Sequence, residues 1–538
     1  MQVEFVLLIL SLVFFVSIFA DKIGYKYGVP ALLLFLAVGM FFGSHGMGSL
    51  FGMSGLHIET GTAQALSTLA MCIILFTGGM ETKLSDIKSV MMPGVTLATL
   101  GVLLTCIITG VLIYYIFGWI NAVVSISIWM ALLMAATMSS TDSASVFSIL
   151  RTNGIGLKHN LRPLLELESG ANDPMAYVLT TTLIGVVLGI QNAGTSGEVD
   201  VLSIVQTIVI QLVMGTVLGF ALGEGLVMLM RRVKLGNEAL YPIMILTACI
   251  FIFSITYYLQ GNTYLAVYVG GLIIGNNKFT RKRQTRSFFN GLTWLSQLVM
   301  FLMLGLMVNP TELVNYHVWL PCLIISFVMV LISRPLAVWI CMLPFKQYRQ
   351  RDKLMLSWVG LKGAVPIIFA IMCKAQGVPY ADMIFNVVFL CTIVSLLTQG
   401  TTLTQMARQL NLDTPQHEAH SLEYFDMDLP DEIQSSAREV EVTGKILANG
   451  NMLRELNIPP KTLIIMVRRG EDFFVPTGTS ELQLGDQLLV ISDKDAEATY
   501  KQMANEAEEE AMWREQMKEN MRKRFDRATT WMRKSKKS

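Results

Sequence analysis

Charge is what this chain lacks most. Lys, Arg, Asp and Glu make up 15% of its 538 residues, while 53% are hydrophobic. A soluble domain carries roughly 25% charged residues, so a single soluble globule is excluded. A disordered chain, which needs low hydrophobicity, is excluded too. The seven cysteines all lie in apolar stretches, with no CxxC spacing and none beyond residue 411. That rules out a disulfide scaffold and a thiolate zinc site, and leaves them as small buried apolar side chains. Residues 1–20 have no basic residue ahead of their apolar run. They therefore read as a first membrane span rather than a secretory leader.

The few charges are unevenly placed. Residues 1–411 hold 23 Lys+Arg against 16 Asp+Glu, and residues 412–538 hold 18 against 24, so +7 and −6 cancel to a net +1. This pattern predicts a large apolar membrane domain followed by a small, highly charged soluble one. About 20 mostly apolar residues are needed to cross a bilayer as a helix. Thirteen stretches are candidates, of which 262–276 is short and polar-spotted: 3–20, 30–47, 64–80, 94–117, 122–150, 162–190, 201–230, 240–259, 262–276, 290–308, 317–343, 354–375 and 382–408. Alternate loops carry 19 basic residues, from Lys22 and Lys26 to Arg351 and Lys353, and the intervening loops carry none. The positive-inside bias then puts the N-terminus outside and the charged C-terminal domain in the cytoplasm.

Away from the span ends, charged groups within the spans are few: Asp142, Glu166, Glu168, Asp173, Glu224, Arg334 and Lys362. Each costs at least ~2.5–3.5 kcal/mol at the bilayer centre, so each needs a cavity, a partner or a task. Span six reads Leu161-Arg-Pro-Leu-Leu-Glu-Leu-Glu-Ser-Gly-Ala-Asn-Asp-Pro-Met-Ala176. Ser169, Asn172 and Asp173 stand three and four apart, so hydroxyl, amide and carboxylate oxygens share one helix face. Hard oxygens suit a dehydrated alkali cation, and the carboxylate is also a proton acceptor. The plainer alternative is an aspartate capping a helix broken at Pro174.

Span five carries Ser139-Ser-Thr-Asp-Ser-Ala-Ser145 in its middle, and span twelve carries Gly360-Leu-Lys-Gly-Ala-Val-Pro366. Hydroxyls compete for backbone bonds, and Gly with Pro breaks helices. Spans five and twelve are seven apart, each the fifth of a six-helix repeat. The expectation is an all-α polytopic membrane protein of inverted repeats with two broken helices meeting at the midplane. Lys362 would then pair with Glu168 or Asp142. Arg334 would serve freed carbonyls or an acid such as Glu224, and His159 reads as a solvated loop residue.

With these residues the chain resembles the monovalent cation:proton antiporters, NhaP-type branch. The resemblance rests on Glu168-Ser-Gly-Ala-Asn-Asp-Pro174, Thr141-Asp142 and the Gly-Leu-Lys-Gly-Ala-Val-Pro run, and covers residues 1–411. It implies that Asp173 binds cation and proton in turn, and that Asn172 marks the branch associated with electroneutral exchange. It further implies ligands at Ser169, Thr141 and Asp142, and a structural ion pair of Glu168 with Lys362. Sodium-preferring relatives often carry an acid in the third span. Here Leu75-Phe-Thr-Gly-Gly79 has Thr77 in that place, which lowers the field at the site and favours potassium.

Residues 412–430 read as a linker, 431–500 as a small α+β domain and 501–538 as a charged helical tail whose basic end suits anionic lipid. Strands are predicted at 439–442, 462–467, 473–475 and 487–491, with a short helix at 451–457. Pro476-Thr-Gly-Thr and Leu484-Gly-Asp-Gln-Leu-Leu-Val490 resemble the TrkA C-terminal (RCK C-terminal) type, which implies dimerisation and an unidentified regulatory ligand. No GxGxxG follows a strand, so no Rossmann companion is expected. The expected partners are monovalent cations, protons, membrane lipid and a second copy of the chain, without nucleic acid, cofactor or catalytic residues. An intramembrane protease is disfavoured because Gly52-Met-Ser-Gly55 and His57 lie in a loop and no histidine sits deep in a span to act as base. A channel would need a filter such as TVGYG, which is absent, and an organic-anion symporter would meet a repelling carboxylate.

Overall fold

The structure, a computed structural model, describes residues 11–19, 31–43, 58–120, 126–193, 201–313, 316–415, 437–442, 447, 450–455 and 462–492, apart from 13, 234, 280 and 471. The tail reading for 501–538 and most of the linker lie outside the described residues. Two compact units result, Met1–Pro415 and Gln416–Ser538.

The first unit contains α1 (Ala31–Phe42), α2 (Thr60–Glu81), α3 (Leu84–Trp119), α4 (Ile128–Thr137), α5 (Ser143–Thr152), α6 (Leu161–Ala193) and α7 (Val201–Arg232). It continues with α8 (Leu240–Tyr258), α9 (Thr263–Asn276), α10 (Lys282–Met307), α11 (Trp319–Cys341), α12 (Gln350–Trp358), α13 (Val365–Ala375) and α14 (Ala381–Gln409). Among the described residues, 8 helices are long and apolar enough to cross a membrane, and α1, α4, α9 and α13 are shorter apolar helices. The expected first span is helical at 11, 12 and 14–19, and its residues 3–10 lie outside the described ones. Span four starts earlier than expected, at Leu84, because the chain continues through a tight turn at Lys88–Val90 instead of forming a loop.

The two halves repeat the same devices in the same order. Span four contains a π turn at Leu97–Gly101 and span eleven one at Met329–Ser333. Spans five and twelve are both broken, as α4/α5 and α12/α13. Span two packs on ten through Gly39 and Gly305, and span three on nine through Gly79 and Gly271. At each of these glycines an added Cβ would meet the facing backbone. Small residues let membrane helices approach this closely.

Packing sorts the helices into two bundles. One buried cluster joins α2, α7, α8, α9 and α10 through Phe76, Val227, Ile245, Val267 and Phe289. Another joins α5, α6, α11, α12 and α14 through Leu150, Leu164, Val338, Leu356 and Leu403. A third bridges them, with Ala70, Leu179, Tyr264 and Phe369. Helix α6 lies along the seam and continues through Pro174, so the capped-break alternative does not apply. Asn262, which caps α9 by accepting from Leu265 N, also donates to the carbonyl of Pro174 at 2.8 Å.

At one end of the second bundle, β1 (Ile155–Leu157) pairs antiparallel with β2 (Asp413–Pro415). Residues 412–415 were expected in the linker. They instead close the first unit, with Leu412 O accepting from Lys158 N at 3.0 Å. Beside them, His159 Nδ1 lies 2.8 Å from a carboxylate oxygen of buried Asp352, so this histidine is engaged rather than merely solvated. The loop that joins α5 to α6 is thereby tied to both α12 and the end of α14.

In the second unit, β3 (Ala437–Glu441), β4 (Thr462–Arg469), β5 (Asp472–Phe474) and β6 (Gln487–Ser492) form one antiparallel sheet in the order β3-β6-β4-β5. All four predicted strands are present, with ends that differ by at most two residues. The expected short helix is a 3-10 turn at Leu453–Glu455, with 456 and 457 outside the described residues. Val442, Val467, Leu482, Leu488 and Val490 make its small core. Asp486 is buried in this unit and accepts from Arg469 Nε at 2.9 Å, Arg469 Nη2 at 2.7 Å and Gln483 N at 2.8 Å. Burial alone would raise its pKa, but the hydrogen bonds from Arg469 and Gln483 and the guanidinium charge outweigh it, so the carboxyl titrates below its usual range. A depressed folded-state pKa adds stability above about pH 4 that is lost as pH falls through the folded value. Arg469→Ala should therefore cost the sheet about 2 kcal/mol at neutral pH, the lower part of the range for bonds to charged groups, because Arg469 is partly exposed. Urea unfolding of the full-length protein, read out by protection of the 462–492 amides, checks it; the deficit should shrink in acid.

Candidate functional site

The first break follows from side chains taking over backbone bonds. Thr137 donates to Met134 O and Ser139 to Ala136 O, each at 2.7 Å, so α4 ends on its own hydroxyls. Helix α5 restarts with Asp142 as cap, its carboxylate accepting from Ser145 N at 3.2 Å and Ser145 Oγ at 2.5 Å. An aspartate in that position satisfies an otherwise orphan amide. The second break spans Val359–Ala364, and Pro366 opens α13 where its missing N–H costs nothing. The two unwound segments touch: Asp142 N donates to Leu361 O at 2.8 Å. Gly363 makes the crossing possible, since a Cβ there would come within 2.7 Å of an Asp142 carboxylate oxygen.

Helix α6 lays its polar face against this crossing. Ser169 donates to Thr141 O at 2.8 Å and accepts from Ser143 N at 3.0 Å. Asn172 donates to Thr141 Oγ1 at 2.5 Å. Asp173 accepts a hydrogen bond from Ser140 Oγ. Ser169, Asn172, Asp173 and Thr141 are all buried. Asn172 Oδ1 is also buried but has no hydrogen-bond partner among the described residues, so it is an oxygen available to a ligand. Leaving a buried acceptor unmet costs about 1–3 kcal/mol.

The expected ion pair is corrected. Glu168 pairs with Arg334, at 2.5 Å and with both side chains almost fully buried. Lys362 instead donates from Nζ to Ser140 O at 2.9 Å. Arg334 reaches Glu168 because span eleven lies under the second break, where a Cβ on Gly360 would be 3.5 Å from Arg334 Nε. This also answers the question of Glu224, which sits on α7. Thr77, the selectivity candidate, donates to Ile73 O at 2.8 Å and accepts from Thr293 at 3.0 Å. Its described bonds thus stay between α2 and α10.

Ser140 was not singled out from the hydroxyl-rich run, although it touches Asp173. Ser395 and Gln399 on α14 were missed altogether. Being uncharged, they do not stand out from an apolar sequence. A pair of polar residues one helical turn apart in span thirteen, as Ser169 and Asn172 are in span six, was the available signal.

Two broken helices crossed beside an aspartate-bearing helix define the sodium/proton antiporter fold. Residues 7–409 match the sodium/hydrogen exchanger transmembrane family, and the chain belongs to that family. Residues 438–504 match the TrkA-C domain. The chain is 37% identical over 489 residues, 89% of its own length and 79% of the other's, to the K(+)/H(+) antiporter NhaP2 of Shewanella sp. strain MR-4. It is 34% identical over 496 residues, 91% and 81% of the two chains, to the K(+)/H(+) antiporter NhaP of Alkalimonas amylolytica. Among solved structures, the sodium proton antiporter MjNhaP1 of Methanocaldococcus jannaschii superposes with a TM-score of 0.63 at 21% identity, covering 76% of this chain and 99% of that one.

Proposed function

We propose that this cation:proton antiporter exchanges potassium in preference to sodium, one cation for one proton, with Asp173 holding either in turn. One observation carries the reading, the charge count of the crossing. Asp142, Glu168 and Asp173 face two cations, Arg334 and Lys362, all buried except half-buried Asp142. With every group ionised the site lacks one positive charge, which a proton or a monovalent cation supplies equally well. A neutral site crosses the bilayer cheaply and a charged one does not, so exchange is obligatory and moves no net charge. Asp173, the unpartnered oxygen of Asn172, and the oxygens of Thr141, Ser169 and Asp142 would share the cation. Potassium is favoured by the names of the relatives above and by Thr77, which stands in the third span where an acid is expected of sodium-preferring relatives.

The basic loops support an N-terminus outside and a cytoplasmic C-terminal unit. Apolar side chains exposed along α7, among them Val205, Val209, Val213 and Val217, support a surface that meets lipid and a second copy. The TrkA-C match supports a regulatory module that takes a small ligand.

The test is proteoliposomes carrying a pH-sensitive dye, to which potassium, sodium or lithium is added separately. Potassium should give the largest dequenching, with no dependence on a clamped membrane potential. A larger sodium response would overturn the selectivity, and potential-dependent rates would overturn the stoichiometry.

A further inference from the structure

Each break has its own brace, and the second brace has no assigned task. At the first break, Ser169 and Asn172 of α6 hold Thr141 through its carbonyl and its hydroxyl. At the second, α14 does the equivalent with Ser395 and Gln399, one helical turn apart and both about 1% exposed. Ser395 Oγ accepts from Lys362 N at 3.1 Å and donates to Gln399 Oε1 at 2.6 Å. Gln399 Nε2 then donates to Trp358 O at 2.8 Å, the last carbonyl of α12. The chain of bonds is closed: each hydroxyl and amide atom in it has a defined role, so neither side chain can rotate without leaving a buried polar group unmet.

The backbone of Lys362 is therefore fixed at its N–H by Ser395, while its ammonium is fixed at the other end by Ser140 O. Ser140 in turn donates to Asp173. Lys362 is thus linked through Ser140 to the carboxylate of Asp173. The neighbouring Leu361 O, which accepts from Asp142 N, rides on the same segment. We propose that Ser395 and Gln399 are positioning residues for exchange, which preorganise the cation site from span thirteen by fixing Lys362 and the segment crossing Asp142. Neither touches the cation. Their contribution is to hold oxygen ligands in one geometry before the ion arrives, which lowers the cost of binding it. The inference rests on Asp173 being the group that binds cation and proton.

The experiment is cation-dependent exchange in proteoliposomes with full-length protein, resolved into KM and maximal rate. Ser395→Ala should raise the potassium KM about three- to tenfold, the worth of one net buried hydrogen bond, while the maximal rate stays within about twofold. Ser395→Thr, which keeps the hydroxyl, should restore the KM. Gln399→Ala should raise KM in the same direction, and both Ala variants should show a smaller potassium-induced rise in Tm, the binding readout that does not depend on transport. An unchanged KM in either Ala variant, or a falling rate with no change in KM, overturns the proposal. So does failure of both variants to fold, which would make the pair a structural brace only. Asp173→Asn is measured alongside: if that variant still exchanges, the reading of the site fails, whatever Ser395 does.

Discussion

Asp173→Asn should lose potassium-dependent proton movement by at least about 100-fold while the protein stays folded. The substitution is isosteric, and an amide oxygen still accepts the hydrogen bond from Ser140 that the carboxylate accepts now. What it removes is the exchangeable charge. With asparagine the crossing holds Asp142 and Glu168 against Arg334 and Lys362, so it is neutral while empty. A cation added to it becomes an uncompensated buried charge costing ~2.5–3.5 kcal/mol, roughly a factor of 100 in occupancy. No proton can be carried back either. Dye dequenching at matched protein density measures the loss, and Tm reports that the fold survives. Normal exchange by this variant would remove the basis of the mechanism.

The second large effect concerns the pair missed by sequence reasoning. Glu168→Leu or Arg334→Met alone should destabilise the protein by about 3–5 kcal/mol, because each leaves its partner charged, buried and alone. Each also changes the charge count of the crossing. Without Glu168 the site is neutral when empty, and without Arg334 it lacks two positive charges. The double variant restores both conditions at once: two apolar side chains replace a buried ion pair, which is often neutral or stabilising, and the deficit of one charge returns. Exchange should therefore be lost in both single variants and recovered to within about tenfold in the double one. Thermal unfolding in detergent and the dye assay together decide it. If the double variant regains stability but not exchange, Arg334 and Glu168 have a role in the cycle beyond charge balance.

How much of this was legible beforehand depended on the kind of signal. The breaks at 138–142 and 359–364 announce themselves, since hydroxyl-rich and Gly/Pro-rich runs cannot continue a helix without partners. The face bearing Ser169, Asn172 and Asp173 is fixed by helical spacing alone. Which cation meets Glu168 is not fixed by spacing. It depends on how α11 rotates about its axis, and the π turn at Met329–Ser333 immediately before Arg334 changes that rotation. A continuous helix would have aimed Arg334 differently, and no residue in Met329–Ser333 marks the insertion. The alternative of a break at Pro174 fails because a proline inside a long packed helix removes one donor without ending the helix. Asn262 of the α9 cap adds a bond to the Pro174 carbonyl from outside the helix.

The short ladder between β1 and β2 sets where mechanical load can enter the transport machinery. Pro415 is the last residue of the first unit, and every force that the remaining chain exerts on the membrane part through its backbone passes through it. The ladder is antiparallel, with Ile155 opposite Pro415 and Leu157 opposite Asp413. A pull on residue 416 is therefore resisted first at Ile155, three residues beyond Thr152 at the end of α5. From there the chain leads back into the half-helix capped by Asp142 and on into the helix bearing Asp173. Through the strand pair, the end of α14 is fastened to the one loop that joins the half-helix of the first break to the helix carrying the aspartate.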